Sequence, residues 1–166
     1  GEVNEARVHV DCGLALYEQG DYDGAIEEFT KAIRVRPGYA EAYRERGSAR
    51  YRVEDHDGAV RDLTEALHLD ADDAEAYRGR GWARYGADDY DGAIEDFTEA
   101  IRFDGDDAEA YGARGSAWYG KCDYDRAIAD YDQALLLSPD DAEAHRGRGW
   151  AWYRKGEYDQ SIEDFT

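Results

Sequence analysis

Twenty-four aspartates, four histidines and two cysteines are the side chains of this chain with metal-binding or nucleophilic chemistry to offer. Their spacing assembles none of it. His9, His56, His68 and His145 show no metal-ligand spacing. Cys12 and Cys122 form no C-x-x-C pair. They read as isolated, buried or half-buried thiols outside any disulfide framework or zinc site. DADDAE at Asp70 and DGDDAE at Asp104 resemble the start of a calcium loop, but Ala74 and Ala108 stand where the third ligand belongs. No nucleophile elbow, phosphate loop or dinucleotide fingerprint is present. The chain therefore reads as a non-enzyme with no cofactor and no metal, because nothing meets the geometric roles a catalytic site needs.

The charged residues are more regular. Arg46, Arg80, Arg114 and Arg148 each stand sixteen residues before an aspartate, Asp62, Asp96, Asp130 and Asp164. A guanidinium and a carboxylate can meet as a planar two-pronged fork while the aliphatic stem packs. The chemistry on offer is pairing and recognition.

Composition narrows the partners. Forty acidic against 20 basic side chains leave a net charge of −20. That argues against nucleic acid, whose phosphates call for a basic surface, and against anionic membranes. No apolar run approaches the roughly 20 residues of a membrane span. Arg outnumbers Lys 17 to 3, a bias shared by salt-accumulating organisms and GC-rich prokaryotic genomes. A cytoplasmic location is favoured.

The arginines recur because the whole chain recurs. AEAYRERGSARY at Ala40, AEAYRGRGWARY at Ala74, AEAYGARGSAWY at Ala108 and AEAHRGRGWAWY at Ala142 are spaced by 34 residues, and a diverged copy begins at Ala6. Each copy reads as two helices. The first runs about 13 residues. A turn follows with an N-capping acid: Asp21, Asp55, Asp89, Asp123 and, in the last copy, Glu157. The second helix carries an apolar stripe, as in AIEEFTKAI from Ala25. Pro37 and Pro139 end two of these helices; Ala71 and Gly105 take that place in two others. Helices this short are marginal alone, so neighbouring copies must stack to complete a core.

With these residues in hand, the chain resembles the tetratricopeptide repeat family over Ala6 to Thr166. The close-packing alanines are Ala25, Ala59, Ala93 and Ala127, with Ser161 in the last copy. The aromatic position holds Phe29, Leu63, Phe97, Tyr131 and Phe165. The resemblance implies an all-α, right-handed solenoid of stacked antiparallel helix pairs, read as one domain over residues 1–166. Its repeats are 6–39, 40–73, 74–107, 108–141 and a truncated 142–166. It also implies that first helices line a concave groove. The chain departs from the family where leucine usually precedes the glycine; four copies carry arginine there and the first carries Cys12. It begins with Gly1 and stops at Thr166, part-way through a helix. Either the natural protein continues, or another chain covers this end.

Arginine and aspartate occur together in four copies, while the first copy has Cys12 and Glu28. This favours Arg46–Asp62, Arg80–Asp96, Arg114–Asp130 and Arg148–Asp164 as structural pairs. A shifted scheme, each arginine to the preceding copy's acid, stays open.

First-helix segments sum to +7 and the remainder to −27, so the presumed groove side is the less acidic one. Helical spacing places Arg44 and Tyr51, Arg78, Trp82 and Tyr85, Tyr119, and Arg146, Trp150 and Tyr153 on the open face. Arg, Tyr and Trp dominate binding hot spots. Gly79, Gly112, Ala113 and Gly147 are expected to let a partner backbone approach. Whether the tyrosines pack the repeats or bind a partner is left open. The expected function is a protein-interaction scaffold taking an extended, acidic-group-bearing peptide or a partner helix in the groove. Head-to-tail self-assembly through the end after Thr166 is the second reading. A segment of a larger enzyme or signalling protein is the third.

Overall fold

A computed structural model describes residues 2–165, with side chains from Asn4 onward. Gly1 and Thr166, the ends of the domain expected from the sequence, lie outside the described residues. Ten helices follow one another: α1 (Glu2–Glu18), α2 (Tyr22–Val35), α3 (Ala40–Arg52), α4 (His56–Leu69), α5 (Ala74–Gly86), α6 (Tyr90–Phe103), α7 (Ala108–Gly120), α8 (Tyr124–Leu137), α9 (Ala142–Lys155) and α10 (Tyr158–Phe165). No strand occurs among the described residues. The chain divides into two compact units, Gly1–Ala87 and Asp88–Thr166. Within each unit the architecture is all-α, a stack of helix hairpins of the tetratricopeptide type.

The hairpins are antiparallel. Arg46 of α3 reaches Asp62 of α4, and Arg50, one turn later on α3, reaches the Gly58 carbonyl one turn earlier on α4. The core of each unit is a repeated triplet of alanine, large apolar residue and alanine on the second helix. In the first unit Ala25, Phe29 and Ala32, and Ala59, Leu63 and Ala66, are all fully buried. In the second, Ala93, Phe97 and Ala100, and Ala127, Tyr131 and Ala134, are buried to the same degree or nearly so. Small residues on the facing helix let these large side chains in. A Cβ on Gly13 would come within 2.5 Å of the Phe29 ring. Helices short enough to be marginal alone are held by this burial.

The turns are built from aspartates and a left-handed residue. Asp21, Asp55, Asp89 and Asp123 accept from the free N–H groups of Gly24, Gly58, Gly92 and Arg126. Gly20, Glu54, Asp88, Cys122 and Gly156 occupy one equivalent position, all with φ between 60° and 84°. The turn therefore demands a left-handed residue in every copy, and only two copies use glycine. This corrects the reading of the cysteines. Both are exposed; Cys122 sits at a left-handed turn apex.

The acidic segments that resemble calcium loops do local work instead. Asp73, Asp107 and Asp141 cap α5, α7 and α9. Asp70 and Asp104 accept from the N–H groups of Asp72 and Asp106. These aspartates also stand where the chain leaves the helix without proline. Asp70 (φ −141°, ψ 97°) and Asp104 (φ −131°, ψ 92°) match the residues before the prolines, Arg36 (φ −135°, ψ 91°) and Ser138 (φ −135°, ψ 83°). Proline forces that break from the next residue. The aspartate side chain reaches the same break through an Asx-type hydrogen bond.

Candidate interaction faces and the arginine ties

Three of the arginines that precede the repeated glycines, Arg46, Arg114 and Arg148, act as three-point ties. Arg46 donates from Nε and Nη2 to Asp62 at 2.8 and 2.7 Å, and from Nη1 to Thr30 of α2 at 3.1 Å. Arg114 repeats this with Asp130 at 2.8 and 2.7 Å and Thr98 of α6 at 3.1 Å. Arg148 repeats it with Asp164 at 2.9 and 2.6 Å and Asp132 of α8 at 2.6 Å. Arg80 donates to Thr64 of α4 at 3.2 Å. Arg80 belongs to the first unit and Asp96 to the second. The carboxylates are buried, Asp62 to 4% and Asp130 to 7% exposure. The ties of Arg46, Arg114 and Arg148 thus fasten the first helix of a hairpin to its own second helix and to the second helix before it. Thr30, Thr64, Thr98 and Asp132 are the partners that sequence reasoning missed. Their signal was present, since each stands two residues after the repeated acid position.

The first hairpin solves the same problem differently. Cys12 replaces the arginine, and Glu28 takes His9 at 2.7 Å and Lys31 at 2.6 Å. Those two hydrogen bonds hold its carboxyl below the usual range, against the opposing effect of burial. At the other end His145 bonds Asp164 at 3.0 Å and the Pro139 carbonyl at 2.9 Å. Both contacts raise the imidazole above its ordinary value. Burial alone pushes Asp164 up, but Arg148 and His145 outweigh it and hold the carboxyl low.

Tyr17 and the predicted open-face Tyr51, Tyr119 and Tyr153, all at one repeat position, make a second regular motif. Tyr17 packs on Tyr22 with ring centroids 5.1 Å apart, Tyr51 on His56 at 5.7 Å, Tyr119 on Tyr124 at 5.5 Å and Tyr153 on Tyr158 at 5.6 Å. Each pair clasps the end of a first helix to the start of the second. Residues of the next hairpin's first helix cover the Tyr17–Tyr22 and Tyr119–Tyr124 clasps. Arg52 lies over Tyr17 and Tyr22, and Arg154 over Tyr124.

The remaining predicted residues differ in exposure. Arg44 is held by Glu45 at 2.9 Å, Asp73 at 3.2 Å and Glu75 at 3.0 Å. Burial raises the Glu45 carboxyl, exceeding the pull of Arg44. Arg78, Trp82 and Tyr85 are half-buried on α5, with Trp82 edge-on to Tyr85 at 5.7 Å. On α9, Trp150 is edge-on to Tyr153 at 5.8 Å; they are 48% and 50% exposed. Arg146 is exposed beside them, 3.6 Å from Glu143. Three of the four small residues expected to admit a partner backbone, Gly79, Ala113 and Gly147, lie against the core instead. A Cβ on Gly147 would fall 2.5 Å from the Tyr131 ring, one on Gly79 would sit 3.3 Å from Leu63, and Ala113 is buried. Tyr131, larger than the leucine and phenylalanines at its position, needs that space, and its hydroxyl meets Ser116 at 3.1 Å.

Repeated hairpins with this Ala–aromatic–Ala core and 34-residue period define a tetratricopeptide scaffold, and family comparison agrees. A profile described as TPR repeat matches residues 13–53, and one described as tetratricopeptide repeat matches 45–108, 80–121 and 113–166. The chain belongs to the tetratricopeptide repeat family. It is similar to a crystal structure of MamA protein, with 27% identity, TM-score 0.85, and coverage of 97% of this chain and 88% of that one. It also resembles MamA residues 41-end from Desulfovibrio magneticus RS-1 (20% identity, TM-score 0.89, 97% and 91% coverage). A third similar fold is YrrB, described as a TPR protein with an unusual peptide-binding site (17% identity, TM-score 0.77, 94% and 80% coverage). Comparison with curated proteins returns no match. Among the described residues no helix is long and apolar enough to cross a membrane.

Proposed function

We propose that this protein is a non-enzymatic interaction scaffold that binds an extended peptide or partner helix across the exposed side of its first helices. One observation carries the reading. Trp150 and Tyr153 form an edge-on aromatic pair, half exposed, beside the exposed Arg146 on a helix whose other face is packed. Solvent-facing Trp, Tyr and Arg on a rigid helix are what binding hot spots are made of. Trp82, Tyr85 and Arg78 repeat these residue types on α5, and Tyr51 and Tyr119 stand at the equivalent tyrosine position of α3 and α7. Arginines at the edge steer acidic groups of the partner. Arg44 is left out of the binding set because three carboxylates already engage it. Peptide recognition by YrrB, a protein of the same fold, supports the class of ligand.

The test is selection of peptides from a random display library on the wild-type protein, followed by affinity measurement on variants. Trp150→Ala is expected to cost about 2 kcal/mol, roughly thirtyfold in Kd, with Tyr153→Ala comparable. Selected peptides that bind both variants as well as wild type would remove this face from the function.

A further inference from the structure

The outer face of α8 departs from the repeat. On α6 that face carries Glu95, Glu99 and Arg102, and the same three positions of α2 and α4 are likewise charged or ionisable. Ion pairs lace it: Arg102 meets Glu99 at 2.7 Å, and His68 meets Glu65 at 3.6 Å on α4. The α8 equivalents are Ala129, Gln133 and Leu136, all uncharged. One turn before them Arg126 stands where Gly24, Gly58 and Gly92 stand in the other copies. These four α8 residues are exposed and recur at helical spacing, so they form one stripe. Leu136 is 74% exposed, the most of any large apolar side chain among the described residues, and Leu137 beside it is 40% exposed. This side of a second helix lies outside the stack whichever hairpin follows. Arg102 on α6 is 61% exposed with α7 to α10 after it.

We propose that this stripe is a self-association surface, on which a second copy of the chain packs its own α8 antiparallel about a two-fold axis. Symmetry singles out the occupant. A two-fold contact sets the same patch against itself, so a face charged like that of α6 would meet its own charges. The α8 stripe brings no like charge to the axis. Its central Gln133 carries an amide that both donates and accepts, and can therefore pair with its counterpart. Ala129 leaves room for the leucines of the other copy. Charge returns only at the two ends, and with opposite sign: Arg126 precedes the stripe and Asp140 follows it. An antiparallel approach brings Arg126 of each copy toward Asp140 of the other, a charge-assisted pair made twice. Arg126 is 65% exposed and only 3.4 Å from Asp123. Asp140 is exposed, and no ion pair engages it among the described residues. The net charge of −20 opposes association through the more acidic faces.

From Arg126 to Leu136 the helix rises about 15 Å, which puts the contact at the small end of specific interfaces. The dimer is therefore expected to form at roughly 100 μM. Sedimentation equilibrium of the intact chain over a range of concentrations measures it. Leu136→Glu should weaken dimerisation about tenfold or more, since it sets two carboxylates against the partner's stripe. Arg126→Asp and Asp140→Arg should each weaken it as well, and the double variant, with the charges exchanged, should restore it. A residue that served only the fold of its own chain would show no such rescue. All three positions are exposed, and melting curves check that the variants keep the fold. A monomer at every concentration up to about ten times that value would overturn the proposal. So would a dimer that Leu136→Glu leaves intact, or one lost on Trp150→Ala, which would place association on the first helices instead.

Discussion

Arg114 of α7 holds Asp130 of α8 by a two-pronged fork at 2.8 and 2.7 Å, and its third nitrogen reaches Thr98 of α6 at 3.1 Å. One side chain thus fastens three helices. The guanidinium is one-fifth exposed and the carboxylate less than a tenth. Removing one partner of a buried pair strands the other charge. Arg114→Ala should therefore cost about 3–5 kcal/mol, whereas Arg146→Ala, whose side chain is 67% exposed, should stay within about 0.5 kcal/mol. Urea unfolding of the two variants measures the difference, and equal midpoints would show that the tie contributes nothing. Thr98→Val tests the third point alone, with an expected loss of about 0.5–1.5 kcal/mol.

Acid and base act on opposite ends of the chain. Asp164 and the Pro139 carbonyl raise His145 above its ordinary 6.5. A raised histidine contributes stability that is complete below the unfolded value and lost as pH rises through the folded one. The stability difference between wild type and His145→Gln should therefore be largest below about pH 6 and shrink above it. Glu28 has the opposite sign. Lys31 and His9 depress its carboxyl below 4.5, so its contribution holds above that value and disappears as pH falls further. Glu28→Gln should match wild type most closely in acid. Differences that do not vary with pH would refute either assignment.

The left-handed turn position offers stabilising changes. Glu54 and Cys122 adopt φ of 63° and 62°, a conformation that costs a side-chain-bearing residue about 1–2 kcal/mol. Glycine removes that strain but adds unfolded-state freedom worth about 0.4–1 kcal/mol. Glu54→Gly and Cys122→Gly should each gain up to about 1 kcal/mol. A lowered melting temperature for both would mean that their side chains contribute contacts outweighing the strain.

Gly147 is the reverse case. Alanine gains about 1 kcal/mol of helix propensity, but its Cβ would overlap the Tyr131 ring at 2.5 Å and the hydroxyl at 2.7 Å. Overpacking of this kind costs about 1–3 kcal/mol, so Gly147→Ala should not stabilise and should recover in combination with Tyr131→Leu. The pairing of Gly79 with Leu63 at 3.3 Å shows the space leucine leaves. A double-mutant cycle with no coupling would remove the steric account.

The sequence by itself determined the repeat, the helix hairpins and their family. A 34-residue period of two short helices with an apolar stripe in each copy admits few other ways to bury it, because each helix is too short to stand alone. The co-occurrence of Arg114 with Asp130 was likewise legible, since a charge at a core-facing position needs a partner at the same period. Only the tertiary structure decided what lies between consecutive hairpins. Thr98 and Asp132 became partners of the arginines because stacking brings the preceding second helix against the next first helix. The same stacking made Gly147 a seat for Tyr131 rather than an opening for a ligand, and gave Arg154 a place over Tyr124. Periodicity states which side of a helix is apolar. It does not state how far a neighbouring ring or guanidinium reaches across that side, which depends on interhelical distances set by every packed residue at once.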